Sequence, residues 1–374
     1  MYAAKPRVML VLQYFPQLSQ TYIKAEIEAL CEDYELSVVT MKAPDLPYKN
    51  HYPYRMIPAY DKVREAIREF QPTVLHTHYL ETAEVVGKLA RDTGIPFTVR
   101  AHSFDTLMGK TTGKIPRHIK AAMSHVNSDL CLGILNFPFT RPWLEKTGIR
   151  GEKIFDCFPV IAYDKFHNRE PNGDAVMNVG ACLPKKRMED FVQLGKLCPS
   201  KTFNLYSIGY KADSLAEYNA KMGSPVTIHT PIEPDDFPPI YKQHGWLVYT
   251  ACPQLNTVGW PMAVAEAQAS GLGVCVPNLR PDMHDYVGGA GFVYDNIEEV
   301  AKIISRPYPQ EMRELGFEQA KKSDIQQHKG ILTDLWDKAQ HMPRLDRAHS
   351  GSGLGSVFGS IFSRFQKQRT GASC

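Results

Sequence analysis

Short apolar runs alternate with stretches whose apolar residues recur every three or four positions along most of the chain. The first run, Arg7–Tyr14, reads as a buried strand. The next stretch, Thr21–Cys31, places Ile23, Ile27 and Leu30 on one side of a helix. The alternation continues with strands predicted at Val38–Met41, Thr73–Thr77, Phe97–Ala101 and Asp129–Gly133, and helices at Val63–Phe70 and Ala83–Thr93. Gly94-Ile-Pro closes the last of these helices. A second series opens at Ala175 with the run AVMNVGA, a basic turn and a helix over Glu189–Leu197. Further strands follow near Phe203–Gly209, Val226–His229, Trp246–Thr250 and Gly273–Pro277. Strand and helix in strict alternation predict an α/β fold built on parallel sheets.

The break between the two series is Cys157–Ala175, which contains Pro, Asn, Gly and Asp. The expected organisation is a first domain over 1–160, a hinge over 161–174 and a second domain over 175–330. A length of 374 residues agrees with two domains. Hydrophobic residues make up 43% of the chain and charged residues 22%, enough apolar material for two cores. A formal net charge of +3 is too small to point to nucleic acid. The eight cysteines lack metal-ligand spacing and several lie in apolar runs, so reduced thiols in a cytoplasmic protein are expected. The N-terminus lacks a signal-peptide layout, and no apolar run reaches the roughly 20 residues of a membrane span.

The segment carrying most chemistry is Gly259–Gly271, GWPMAVAEAQASG. Gly259, Trp260 and Pro261 form a turn that leads into an Ala-rich helix, and Pro261 suits a first helical turn. Open N–H groups and the helix dipole make that start, around Met262, an anion site. Glu266 lies about one turn further on, where a carboxylate accepts hydrogen bonds from a ribose diol. Phosphate at the helix mouth and sugar hydroxyls one step away describe a nucleotide-sugar site. A basic turn in VGACLPKKRMEDF supplies Lys185, Lys186 and Arg187 as counter-charges. No Asp-x-Asp metal clamp occurs, so neither a metal nor a cofactor is expected, only the donor substrate.

These segments resemble the donor-binding signature of GT-B glycosyltransferases, specifically the retaining glycosyltransferase family 4. The resemblance runs to about residue 340. It implies two Rossmann-like domains facing a cleft, with a C-terminal helix, expected over 331–345, crossing back to the first domain. It also implies that Glu266 holds the donor ribose and that the basic turn neutralises the pyrophosphate. Two family side chains are replaced: the acid before Gly259 is Val258, and the arginine of the basic turn is Ala181.

On the acceptor side, Phe15–Leu30 has no glycine fingerprint, but Ser19 and Thr21 are good N-cap residues that expose hydroxyls at a helix mouth. A family 4 subgroup has a similar Phe-Pro-x-x-Ser-Glu-Thr-Phe segment, with Gln20 standing here for its Glu. His76 and His78 end a strand and share a face. A zinc site needs further ligands that the neighbouring sequence does not offer; the resembling family often has histidines here that line the cleft, and the resemblance implies that role for His78. AHSFD, residues 101–105, resembles the family's Ala-His-Gly-x-Asp element. By that resemblance His102 faces the reaction centre and hydrogen-bonds the transferred sugar, with Asp105 beside it.

The expected activity is therefore sugar transfer from a nucleoside-diphosphate sugar to a saccharide or lipid-linked acceptor. Retention, with an α-linkage and a leaving phosphate that helps deprotonate the acceptor, is implied by the resemblance, as is a role in cell-surface polysaccharide or glycolipid assembly. Two rival readings are a non-catalytic GT-B-like subunit that binds a partner or lipid surface, and a nucleotide-sugar epimerase. The tail 351–374 places Leu354, Val357, Phe358, Ile361, Phe362 and Phe365 on one helical face beside Arg364, Lys367 and Arg369. With the basic segment 109–120 it suggests peripheral contact with the inner face of a membrane; the alternative is a tail that packs on the body or is disordered.

Overall fold

The computed structural model describes residues 5–340 apart from 111, 210 and 256. The first sheet has seven strands: β1 (Arg7–Tyr14), β2 (Glu35–Lys42), β3 (Tyr54–Met56), β4 (Val74–His78), β5 (Phe97–Arg100), β6 (Cys131–Asn136) and β7 (Ile154–Asp156). Their spatial order is β3-β2-β1-β4-β5-β6-β7, all parallel. The second sheet has six: β8 (Ala175–Ala181), β9 (Phe203–Ile208), β10 (Thr227–His229), β11 (His244–Val248), β12 (Gly273–Pro277) and β13 (Phe292–Tyr294). Its order is β10-β9-β8-β11-β12-β13, again all parallel. Both orders reverse direction beside their first strand, the place where open α/β sheets bind ligands.

Each central strand is buried on both faces. Along β1, Met9 and Val11 enter the core under helices Tyr60–Phe70, Leu80–Thr93 and Arg117–Val126. Val8, Leu10 and Leu12 face the opposite side, against helices Thr21–Leu30 and Ile325–Gln340. Strand period two explains this division. In the second sheet, Met177, Leu247 and Val274 pack with helix Met262–Ala269, while Val176, Val248 and Cys275 pack with helices Met188–Leu197 and Ile297–Ile304.

The chain leaves the first sheet after Asp156 and enters the second at Ala175. It returns beside this crossing: the Ile161 N–H donates to the Ser323 carbonyl at 2.9 Å, and the Ile325 N–H donates to the Ile161 carbonyl at 2.9 Å. The C-terminal helix then lies on the first sheet with Leu332, Leu335 and Trp336 buried. It begins at Ile325 and not near Ile331, because Ile325 and His328 are already buried by the crossing. The sequence reading omitted β3, β7 and β13, three-residue strands at or next to the sheet edges. All three residues of β3 are exposed, so no apolar run marks it.

Among the described residues no helix is long and apolar enough to cross a membrane. Among the described residues six cysteines are free thiols, and Cys131, Cys157, Cys182 and Cys275 of these are buried. The amphipathic tail 351–374 and residues 341–345 of the expected helix lie outside the described residues. In the basic segment 109–120, Lys114, Arg117 and Lys120 are exposed, and the Lys110 ammonium lies 5.9 Å from the Phe139 ring centroid.

Candidate functional site

The C-terminal ends of β1, β4 and β5 face those of β8, β9 and β11 across a cavity of about 1260 Å³. Its second-domain wall carries Ala181, Lys185, Lys186, Trp260, Pro261, Met262 and Glu266. Its first-domain wall carries Ser19, Gln20, Thr21 and His102. Residues from two segments on each side thus meet in one cleft.

On the second-domain wall, β8 ends in Gly180 and Ala181 and leads into the short 3-10 turn Pro184–Lys186. The Lys186 ammonium donates to the Tyr249 hydroxyl and lies 4.2 Å from that ring's centroid. Burial, with Lys185 beside it, pushes the Lys186 pKa down to about 7. Lys185 donates to the Thr257 carbonyl at 3.4 Å. Arg187 departs from the expected trio. It adopts a left-handed conformation (φ 43°) at the start of helix Met188–Leu197 and pairs with Asp190 at 2.9 Å, so it does not line the cavity. Its φ turns the side chain out of the row formed by the two lysines.

The signature segment is held from behind. Trp260 stacks on Tyr286 with centroids 4.9 Å apart, and its Nε1 donates to Asp282 Oδ2 at 2.8 Å. The Tyr286 hydroxyl donates to the Pro261 carbonyl at 2.5 Å. Pro261 has an extended ψ of 130° and stands just before the helix, not within its first turn, so the helix opens at Met262. The Val264 N–H donates to the Pro261 carbonyl at 3.1 Å, and Met262 and Ala263 ahead of it, whose N–H groups precede the first intrahelical bond, face the cleft. Glu266, one turn in, accepts from the Tyr241 hydroxyl at 2.7 Å. Burial raises its pKa to about 7. Gly259 does not line the cavity; it abuts Ser103 of the opposite domain.

Val258 occupies the position where the resembling family has an acid. Its side chain belongs to the apolar core of the second domain and is 4% exposed, and its carbonyl accepts from Arg280 Nη1 at 2.7 Å. The backbone here aims position 258 inward, so an acid at this place would be buried. Ala181, by contrast, faces the cleft.

On the first-domain wall, Gln20 takes the N-cap position of helix Thr21–Leu30 and makes no side-chain cap. The expected capping by Ser19 and Thr21 is therefore absent, and both side chains face the cleft. Gln20 Nε2 donates to the Tyr79 hydroxyl at 3.3 Å. The His102 ring lies between Tyr22 and Tyr79, with centroids at 4.3 and 4.4 Å. The two tyrosine hydroxyls are hydrogen-bonded to each other. Tyr79 has φ 72°, a costly conformation for a residue with a Cβ, at the strand-to-helix turn that delivers its ring.

Two expected cleft residues lie behind this wall. His78 is 1% exposed and does not line the cavity; its Nδ1 meets His102 Nε2 at 3.0 Å. His78 is the last residue of β4, and its side chain still points into the core. Asp105 is also 1% exposed. Its carboxylate accepts from the Leu80 N–H and, at 2.8 Å, from the His102 N–H, forming a capping box at helix Ser103–Leu107. Burial raises its pKa to about 7. Asp105 thus fixes backbone and faces no substrate.

The sequence reading missed Glu26 and Arg100. Glu26 is fully buried and its Oε1 contacts His76 Nε2 at 2.7 Å and His78 Nε2 at 3.1 Å. Arg100 Nε donates to Glu26 Oε2 at 2.5 Å. Against its burial, the Arg100 guanidinium and the hydrogen bond with His76 hold the Glu26 carboxyl well below the usual range. The signal was present: Glu26 shares the helical face of Ile23, Ile27 and Leu30. Glu26, His76 and His78 are a potential metal-ligand triad by distance. The guanidinium already on the carboxylate supplies the counter-charge that a cation would bring.

No family model and no curated protein matches this sequence. Solved structures share its architecture. Anabaena Alr3699/HepE, crystallised with UDP-glucose, superposes with a TM-score of 0.70 at 14% identity, covering 90% of this chain and 100% of that one. Sucrose-phosphate synthase from Thermosynechococcus elongatus gives 0.69 at 14% identity, covering 89% and 100%. The lipopolysaccharide outer core galactosyltransferase WaaB gives 0.57 at 12% identity, covering 90% and 98%. With two parallel sheets around a cleft and a returning C-terminal helix, this chain has the GT-B fold of these glycosyltransferases.

Proposed function

We propose that this protein transfers a glycosyl group from a nucleoside-diphosphate sugar to an acceptor bound against its first domain. The observation that carries the reading is the arrangement of the second-domain wall. Lys185, Lys186 and the N-terminus of helix Met262–Ala269 converge on one side of the cleft, and Glu266 lies one helical turn deeper. Two cations and a helix terminus complement a diphosphate, while a carboxylate at that depth repels phosphate and accepts from a ribose diol. Phosphate charge can then be met by protein groups alone. The UDP-glucose held by the HepE fold supports uridine donors as the first to test.

Retention follows from the family resemblance. In that reading the leaving phosphate, drawn toward Lys186 and the helix mouth, takes the acceptor proton on the face where the sugar departs. Saccharide or lipid-linked acceptors fit a first-domain wall of tyrosines and hydroxyls, since sugar rings stack on aromatic faces and hydrogen-bond to their edges. Purified protein incubated with UDP-glucose, UDP-galactose and GDP-mannose is expected to release nucleoside diphosphate slowly by hydrolysis and faster with saccharide acceptors. Failure of UDP and GDP to bind at millimolar concentration, with no turnover, would overturn it in favour of a partner-binding subunit. Interconversion of donor sugars without acceptor would favour an epimerase.

A further inference from the structure

Behind His102 lies a buried hydrogen-bonded chain in which every donor and acceptor role is fixed. Arginine has only donors and an ionised carboxylate only accepts. Arg100 Nε donates to Glu26 Oε2, so Glu26 is ionised and accepts on its other oxygen from both His76 Nε2 and His78 Nε2. A neutral imidazole that donates from Nε2 has its lone pair at Nδ1. His78 Nδ1 therefore accepts, and its partner, His102 Nε2, carries the proton. The far branch agrees. Trp336 Nε1, donor only, gives to Thr98 Oγ1 at 2.9 Å, and Thr98 in turn gives its proton to His76 Nδ1 at 2.8 Å. The lone pair of His102, at Nδ1, faces the Asp105 N–H of the capping box.

We propose that Glu26 is a positioning residue: through His78 it sets His102 as a neutral imidazole with its N–H turned inward and its lone pair at Nδ1. His102 then presents a fixed ring, clamped between Tyr22 and Tyr79, as a wall of the cleft and not as a proton carrier. Burial supports this by lowering the His102 pKa well below its ordinary value. The catalytic consequence rests on the transferase reading; the tautomers themselves do not.

Substituting Glu26→Gln makes a distinctive prediction. Arg100, a donor only, takes the amide oxygen and leaves the amide NH2 facing the histidines. His78 Nε2 must then accept and its proton moves to Nδ1, facing His102 Nε2; His102 accepts there only by moving its own proton to Nδ1 and giving up the bond from the Asp105 N–H. The test is long-range 1H–15N NMR of the full chain labelled at histidine, with His78 and His102 assigned by substitution. In the wild type both rings should be protonated at Nε2 alone, unchanged between pH 6 and pH 8. In Glu26→Gln both should carry the proton at Nδ1, with turnover reduced about tenfold or more and UDP affinity retained. A merely structural role would lower stability without inverting either ring. Wild-type protein with His102 protonated at Nδ1 overturns the proposal without any variant. So does one stoichiometric zinc ion on Glu26, His76 and His78, detected by elemental analysis. Loss of turnover in all proteins with the tautomers as stated would instead remove the transferase reading and leave this one standing.

Discussion

Gly259 of the second domain and Ser103 of the first touch across the domain boundary: a Cβ on Gly259 would lie 2.2 Å from the Ser103 Cβ. Ser103 follows His102 directly, so this contact sets the distance between the signature turn and the histidine wall. Real Cβ atoms do not approach so closely, and backbone on at least one side must move. Gly259→Ala should therefore spread the cleft, lowering turnover about tenfold or more by displacement of the reacting groups. UDP affinity should hold, because the diphosphate groups sit on one domain. Ser103→Gly in the same chain should restore most of the loss. A strictly additive pair of variants in kinetic measurements would show that the contact does not couple the domains.

In the proposed function Glu266 holds the ribose hydroxyls of the donor. Glu266→Ala removes a charge-assisted acceptor, which is worth about 1.5–3 kcal/mol, so UDP should bind about ten- to a hundredfold more weakly. The sharper expectation concerns the sugar. Wild-type protein should prefer UDP over 2′-deoxy-UDP, and the variant should bind the two alike. Calorimetry that finds the preference intact in Glu266→Ala would take Glu266 away from the ribose.

The donor wall was legible in the sequence because each of its parts is local. A proline before an Ala-rich run and a row of cations are visible within a dozen residues. Arg187 broke the row only through its left-handed φ, which the sequence does not display. The acceptor wall was read less well. The resemblance implies His78 and Asp105 as cleft residues, yet both point inward to fix His102 and its helix. Glu26, Arg100 and Trp336 are far apart in sequence and meet only through sheet order, since β4 lies beside β5 and the C-terminal helix returns to cover them. The short strands β3, β7 and β13 owe their pairing to neighbours and carry little periodicity of their own.

Lys186 ties donor binding to pH. Burial holds its pKa near 7, while an unperturbed lysine titrates near 10.5. A diphosphate beside the ammonium favours the charged form, so binding should draw a proton from solvent above pH 7. Affinity for UDP should fall as pH rises from about 7, by up to tenfold per pH unit. Calorimetric enthalpies in buffers of different ionisation heat should reveal the uptake. Lys186→Met should weaken UDP and abolish the uptake. A proton count of zero at pH 8 in the wild type would show that Lys186 is already charged without ligand.

His328 supplies a test of the chain crossing itself. It is 3% exposed where the C-terminal helix begins, and its Nε2 donates to the Lys322 carbonyl at 2.9 Å. Burial, with Arg100 nearby, lowers its pKa from 6.5 to about 4. The unfolded chain therefore takes up this proton first, and the contribution of His328 to stability falls as pH drops from 6.5 toward 4. A shift of that size corresponds to about 3 kcal/mol at most. His328→Gln keeps an N–H donor but cannot be protonated. Relative to this variant the wild type should lose stability steadily over that window and none between pH 7 and pH 8. Urea unfolding of both proteins, compared at each pH, measures the difference directly. A gap that stays constant down to pH 4.5 would mean that His328 is charged, or reached by water, at the point where the chain returns to the first sheet.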